Sequence, residues 1–365
     1  MTKIKEIINL LQQLAPLSLQ ESYDNSGLQT GDANAEVTGI LLTLDCTLAV
    51  LEEALQNGCN LILAHHPVIF RPLKQLTGRN EVERIIIRAI QNNLAIYACH
   101  TNLDNVLAGV NAKICEKIGL ENIKILQPKA GNLLKLATFA PLAHTQAVLD
   151  ALYAAGAGQI GGYKNCSFWV SGTGTFMPTA GTNPYIGEVG QQEEVNENRL
   201  EVIFPDYLKE KVIRALLNAH PYEEVAYDLY RLENTNQETG AGMIGFLPNP
   251  MSPADFLNHL KHSMQLQMVR HTELGNKEIK KIAVCGGAGS FLIEGALRQQ
   301  VDVYITADLK YHEFFMPEGD MILMDIGHYE SEVFTKEIFY DNIRKKFTNF
   351  AVLKSTVYTN PVRYT

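Results

Sequence analysis

Leu61-Ile62-Leu63-Ala64-His65-His66-Pro67-Val68-Ile69-Phe70 runs four apolar or small residues straight into two adjacent histidines, and a proline then ends the run. A short apolar run bounded by turn signals is the pattern of a buried, parallel strand. Two later stretches share the form. Ala95-Ile96-Tyr97-Ala98 leads into Cys99-His100-Thr101-Asn102-Leu103-Asp104, and Met321-Ile322-Leu323-Met324 leads into Asp325-Ile326-Gly327-His328-Tyr329-Glu330-Ser331-Glu332. In open parallel sheets functional groups collect just past the carboxyl ends of the strands. Three strands that each deliver His, Asp or Glu can therefore pool those side chains as a metal site.

Outward from these strands, helical and strand patterns alternate. Residues 3–14 place Ile4, Ile7, Ile8, Leu11 and Leu14 on one helical face. A turn-rich loop at 22–31, a strand at 37–44, a helix at 47–56, the strand at 61–64, a helix at 81–91, the strand at 95–98 and a helix at 110–118 follow. That alternation implies βαβ units and a mainly parallel sheet. The rhythm changes near residue 130. Strands at 135–139, 167–176, 199–204 and 224–230, with helices at 145–155 and 207–218, give the order βαββαβ of a ferredoxin-like unit. A polar stretch at 181–198 reads as a mobile loop, and 234–242 as a polar linker. The first rhythm then returns, with a helix at 253–264, strands at 282–285, 301–306 and 321–325, a helix at 291–299 and a long helix at 332–347. The fold class expected is α/β: a discontinuous, mainly parallel core domain from residues 1–130 and 240–365, with a ferredoxin-like domain inserted at 131–239.

The 365 residues are 46% hydrophobic and 19% charged, which is ample for a buried core. A formal net charge of −9 argues against general nucleic-acid binding. No run has the length of a membrane span, and the N-terminus lacks the apolar core of a signal peptide. The six cysteines form no C-x-x-C pair and sit mostly in apolar surroundings. These features predict a cytoplasmic protein with reduced thiols.

The chemistry concentrates in five residues. His65 and His66 point to opposite faces on a regular strand, but at a strand end before proline both can turn to the open edge, each serving a different ion. His328 and Glu332, spaced i, i+4, share one face of a helical turn and direct an imidazole and a carboxylate at one point. Asp104 offers a carboxylate able to bridge two ions. This set suits zinc, iron, manganese or nickel. Two ions roughly 3.5–4 Å apart activate a water and polarise a substrate. His100 and Asp325 read either as groups that orient ligands or as plain strand-end polars. Gly286-Gly287-Ala288-Gly289-Ser290 reads as a tight turn lining the site rather than an anion cradle, since neither G-x-G-x-x-G nor a P-loop lysine is present. Lys310 and His312, past another strand end, are alternatives for substrate contact or surface. His220 reads as part of a structural turn. Trp169 fits the core or an interface of the insert.

Together, Ala64-His65-His66-Pro67, His100-Thr101-Asn102-Leu103-Asp104 and Gly327-His328-Tyr329-Glu330-Ser331-Glu332 resemble the signatures of the GTP cyclohydrolase 1 type 2 homologue family, also called NGG-interacting-factor-3-like. Tyr23-Asp24-Asn25-Ser26-Gly27-Leu28 resembles its W-D-N-x-G-L motif, with Tyr for Trp. The segment from His220 to Asp228 resembles the PII/CutA-like domain of the longer bacterial members. The resemblance covers essentially the whole chain. It implies two divalent metal ions per chain, zinc first with iron or manganese as alternatives, held by His65, His66, Asp104, His328 and Glu332. It also implies a toroidal homohexamer with metal sites facing an inner cavity, and inserted domains forming lids in trimeric groups.

The leading functional expectation is a metal-dependent hydrolase of a nucleotide or other small molecule. The alternative is a non-catalytic metal-handling or regulatory hexamer that senses through the insert. A nucleic-acid-binding role is the weakest, given the acidic balance.

Overall fold

The computed structural model describes residues 1–365 as two compact units, one formed by residues 1–127 and 239–365, the other by 128–238. The first unit is mixed α/β and holds two sheets. In one, Gly39–Thr43, Leu61–Ala64 and Ala95–Ala98 pair in parallel, with Thr43, Ala64 and Ala98 level at their carboxyl ends. Ala351–Lys354 adds a further parallel strand beside Gly39–Thr43, and Gly27–Thr30 closes the other edge antiparallel to Ala95–Ala98. All thirteen residues of the three inner strands are buried, as their unbroken apolar pattern requires. Leu41, Ile62 and Ile96 pack on Val50, Leu51 and Ala54 of helix Leu48–Gln56 and on Ile85 and Ala89 of helix Glu81–Gln91. Each buried aliphatic side chain there contributes roughly 1.5–3 kcal/mol. Thr47 and Asn80 cap the two helices by accepting from the amides of Val50 and Glu83.

The second sheet carries Ile279–Ala288, Val303–Ala307 and Ile322–Asp325 in parallel. Arg270–His271 and Thr235–Met251 flank them antiparallel, and Glu121–Ala130 forms the outer edge. Its core joins Ile244, Ala283, Tyr304 and Leu323 to Leu292 and Ile293. The parallel strands are thus divided between two sheets, where alternation alone suggested one.

Three local expectations change. The presumed linker at 234–242 is the start of strand Thr235–Met251, whose Met243 and Ile244 are fully buried against the Ile279–Ala288 strand. The loop at 22–31 contains strand Gly27–Thr30. The long helix at 332–347 is two helices, His328–Glu332 and Thr335–Lys346. Thr335 Oγ1 donates to the Glu332 carbonyl at 2.6 Å, a local bond that competes with continued helix.

The second unit runs strand Leu133–Pro141, helix Thr145–Ala154, strands Phe168–Phe176 and Glu193–Pro205, helix Lys209–Ala219 and strand Tyr227–Leu232. Its antiparallel sheet has the order Phe168–Phe176, Glu193–Pro205, Leu133–Pro141, Tyr227–Leu232. One face packs Leu136, Leu200 and Phe204 on Val148, Leu152, Val212 and Leu216 of the two helices. Strand Glu193–Pro205 begins inside the stretch expected as a loop. Trp169 lies on the edge strand and is 51% exposed, so it is not part of that core. No helix is long and apolar enough to cross a membrane.

Candidate metal centre

Parallel pairing brings the ends of Leu61–Ala64 and Ala95–Ala98 side by side, and the Cys99 amide donates to the Ala64 carbonyl at 3.0 Å. His65 therefore leaves its strand beside Cys99. Its Nδ1 lies 2.8 Å from the Cys99 carbonyl, and the side chain is fully buried. His66 turns the other way, with Nδ1 2.7 Å from Asp45 Oδ1, just beyond strand Gly39–Thr43. From the second sheet, Val303–Ala307 delivers Asp308 and Ile322–Asp325 delivers the Gly327-His328 turn. His328 Nδ1 lies 2.7 Å from Asp308 Oδ2. His100 follows the same rule, with Nδ1 2.7 Å from Asp24 Oδ1.

All four imidazoles thus have Nδ1 engaged by a carbonyl or carboxylate. That arrangement leaves Nε2 as the ring nitrogen that faces the cluster and orients the rings. The carboxylate of Glu332 sits among them. Its Oε2 is 2.9 Å from His66 Nε2 and 3.1 Å from His328 Nε2, and its Oε1 is 3.8 Å from His65 Nε2. Asp104, at the end of the helical turn Thr101–Asp104, places Oδ1 3.6 Å from His65 Nε2. The ligand atoms of His65, Asp104 and Glu332 lie within 4.8 Å of one another, and so do those of His66, His328 and Glu332. A third such group is His65, His66 and His100.

The electrostatics of this cluster are those of a cation site. His65 Nε2 and Asp104 Oδ1 are buried without a hydrogen-bond partner, a costly state for two polar atoms that face each other. Burial, with the neighbouring Glu332, pushes the Asp104 carboxyl well above the usual carboxylate range. Burial also pushes the Glu332 carboxyl up, but the His328 contact, the nearby His65 ring and the His66 contact outweigh it and hold Glu332 well below that range. Burial lowers the His65 pKa. In His66 burial is overcome by Asp45 and Glu332, and the ring is raised to about 10. Burial in His328 is likewise overcome, by Glu332 and then Asp308, to about 9. Imidazole and carboxylate donors, four rings pre-oriented, and two orphaned atoms fit a divalent ion.

The glycine-rich turn serves this cluster. The Gly286 amide donates to Asn111 Oδ1 and the Gly287 amide to Ser331 Oγ, so neither is free for an anion. Gly287 has φ +62, and a Cβ there would stand 2.5 Å from Glu332 Oε1. Its missing side chain is the space the carboxylate occupies.

The five residues singled out in the sequence come together, with His100 beside them; its ring centroid is 5.3 Å from both His65 and His66. Asp325 positions its neighbours: Oδ1 accepts from the Gly327 amide at 3.0 Å, Oδ2 accepts from the Leu309 amide, and Arg270 pairs with it. Lys310 and His312 lie on the following turn, where the Lys310 amide donates to Glu313 and His312 meets Tyr311 edge-on. From that strand end the contact to His328 is made by Asp308. His220 is a turn residue, with Nε2 donating to the Phe139 carbonyl and Nδ1 accepting from the Tyr222 amide. The sequence reading did not pair Asp24 or Asp308 with any histidine. Their signals were a polar residue just past an apolar run and the turn-rich motif beginning at Tyr23. A cavity of about 460 Å³ opens beside His66 and His328, walled by Arg270, Tyr329, Asn360 and Tyr364.

A protein-family model described as Duf34/NIF3 (NGG1p interacting factor 3) matches residues 2–361. A relative from Halalkalibacterium halodurans, named GTP cyclohydrolase 1 type 2 homolog, is 38% identical over 366 residues, covering 98% of each chain. A Bacillus subtilis relative of the same name is 38% identical, covering 94% of this chain and 92% of its own. Among solved structures, a Bacillus cereus protein related to NIF3 superposes with a TM-score of 0.87 at 38% identity, covering 100% of this chain and 99% of its own. A Staphylococcus aureus protein does so with a TM-score of 0.78 at 31% identity, again over 100% and 99%. With a family model and these relatives matched along nearly the whole length, the chain belongs to the Duf34/NIF3 family.

Proposed function

We propose that this protein holds two divalent metal ions and uses them to hydrolyse a nucleotide or another small molecule. The observation that carries the proposal is the pair of buried, partnerless atoms, His65 Nε2 and Asp104 Oδ1, inside a ring of Nδ1-anchored histidines. His65 and Asp104 would hold one ion and His66 and His328 the other, Glu332 being common to the two groupings of potential ligand atoms. Zinc is the first candidate for this donor set, with iron and manganese as alternatives. When bound, two such ions supply an activated water and a Lewis acid.

The chain's own residues do the rest. Asp45, Asp308 and the Cys99 carbonyl keep the ligand rings in the Nδ1–H tautomer. His100, anchored through Nδ1 by Asp24, keeps Nε2 free to take or return a proton. Arg270, Asn360 and the two tyrosines line the space where substrate is oriented. The relatives' name suggests GTP as the substrate. In that version water adds to the purine imidazole carbon, the ring opens, and a second water releases formate.

The inserted unit is assigned as ferredoxin-like and PII/CutA-like, on its βαββαβ order and its central pairing of the first and third strands. The proposed assembly is a toroidal homohexamer with these units as lids, in the cytoplasm. A second reading, metal handling or sensing without turnover, is favoured by that insert topology. Chain reloaded with zinc, iron or manganese, incubated with GTP and analysed chromatographically, tests the first. Formate and a ring-opened product that vanish in His65→Ala and Glu332→Ala support cyclohydrolase chemistry. Phosphate release alone indicates a phosphohydrolase. GTP left unchanged with two metals verified per chain excludes GTP and favours the second reading.

A further inference from the structure

The open face of the inserted sheet, opposite its two helices, carries a cavity of about 650 Å³. That size falls within the roughly 300–1,000 Å³ of small-molecule pockets. Phe139, Phe176, Tyr185 and Tyr222 line it, and three of these rings adjoin: Phe176 and Tyr222 have centroids 6.1 Å apart, and Tyr185 and Tyr222 6.2 Å apart. A carboxylate, Glu197, lies in the same cavity and is only 8% exposed. Its Oε1 accepts the Tyr222 hydroxyl at 2.8 Å.

No lysine or arginine pairs with Glu197. The one arginine of the lining, Arg199, has its guanidinium 3.0 Å from Glu201. His220, edge-on to Tyr222, has its pKa lowered by burial and so adds no positive charge at neutral pH. Burial and Glu197 both raise the Tyr222 pKa, which keeps its phenol a donor. Glu223 and Glu224 add two more carboxylates to the lining. A largely buried carboxylate without a cationic partner, facing aromatic rings, is complementary to positive charge.

Two glycines make the room. On the edge strand, Gly174 lies where a Cβ would come within 2.2 Å of Glu197 Oε2. Gly172, paired in register with Glu197, has nothing within 4 Å of where its Cβ would stand. A side chain there would begin without a clash, at a position that lines the cavity.

We propose that this cavity is a binding site for a small organic cation, an aromatic or apolar body bearing an ammonium, amidinium or guanidinium group, with Glu197 as counter-ion and Phe176, Tyr185 and Tyr222 as the enclosing rings. The site is separate from the metal-ligand cluster and does not depend on whether that cluster turns over a substrate.

The test uses the full chain and 4-aminobenzamidine, whose fluorescence rises in apolar surroundings, beside the neutral 4-aminobenzamide and the anionic 4-aminobenzoate. The amidinium should bind at least about tenfold tighter than the amide, and the benzoate should not bind. Glu197→Gln keeps an acceptor for Tyr222 and should erase the tenfold preference. Gly172→Phe should abolish binding without changing the unfolding temperature or the sedimentation coefficient. Charge-blind affinity, absence of amidinium binding, or binding that survives Gly172→Phe overturns the proposal. So does a Gly172→Phe chain whose oligomer size changes, because a second copy then occupies this face.

Discussion

His66 and Glu332 stand 266 positions apart, yet Nε2 of one lies 2.9 Å from Oε2 of the other. The contact joins the carboxyl end of a strand in one sheet to the helical turn that follows a strand in the other. Because Glu332 reaches both groups of potential ligands, it is the residue on which the centre most depends. Glu332→Gln, which keeps the shape and removes the charge, should lower the bound metal by more than one ion per chain. Asp104→Asn should chiefly affect the ion served by His65. Metal analysis of each purified variant after equal dialysis checks the order.

The carboxylates behind the histidines should matter without touching metal. Asp45→Asn and Asp308→Asn leave all five proposed ligands in place but no longer hold the His66 and His328 rings as charged acceptors. Each should weaken metal affinity by about 10–100-fold. Competition with a chromophoric chelator measures it; an unchanged affinity would show that ring orientation does not limit binding.

Gly287→Ala puts a methyl group 2.5 Å from Glu332 Oε1 at a φ of +62, a conformation costly for any side chain. The clash falls on the Glu332 carboxylate and the strain on the turn that abuts it. The variant should lose thermal stability and metal affinity together, whereas Gly119→Ala, at φ +80 with nothing within 4 Å, should lose stability alone. Calorimetry with parallel metal analysis separates the two.

Glu53 ties down the C-terminal segment that also reaches the centre. Its carboxylate accepts from the Ser355 hydroxyl and from the Thr356 amide and hydroxyl, and Thr359 Oγ1 then donates to Asp45 Oδ2 at 2.7 Å. Burial raises the Glu53 pKa, but these bonds outweigh it and the net shift is downward. A carboxyl depressed in the folded state contributes stability above its unfolded pKa of about 4.3, and that contribution fades as pH falls through the folded value. Glu53→Gln should therefore cost about 0.5–1 kcal/mol at pH 7, the low end because the group is well solvated. The difference from the parent chain should shrink below about pH 4. Denaturant unfolding across pH 3–7 checks the sign; a difference that grows on acidification would contradict it.

The apolar runs that end at His65, His100 and Asp325 were legible in the sequence because buried parallel strands need continuous apolar residues. The His328/Glu332 spacing was legible because helical geometry is local. The partners of the rings were not. Asp24 precedes His100 by 76 positions and Asp308 precedes His328 by 20, and which carboxylate meets which ring depends on strand order. Strand order also decides that Ile322–Asp325 and Leu61–Ala64 belong to different sheets. Gly27–Thr30 escaped notice because a four-residue edge strand of Gly, Leu, Gln and Thr has neither an apolar run nor a clear alternation. At the break between Glu332 and Thr335 the Thr335 hydroxyl bonds the Glu332 carbonyl, a local contact that periodicity does not register.

The most direct test of the metal assignment is the metal content of the purified chain, measured by mass spectrometry after reloading and exhaustive dialysis. Two divalent ions per chain are expected, close to one in His65→Ala and in His328→Ala, and none retained in the His65→Ala/His328→Ala double variant. An intact, folded chain that retains no metal, or variants that keep the parent stoichiometry, would contradict it.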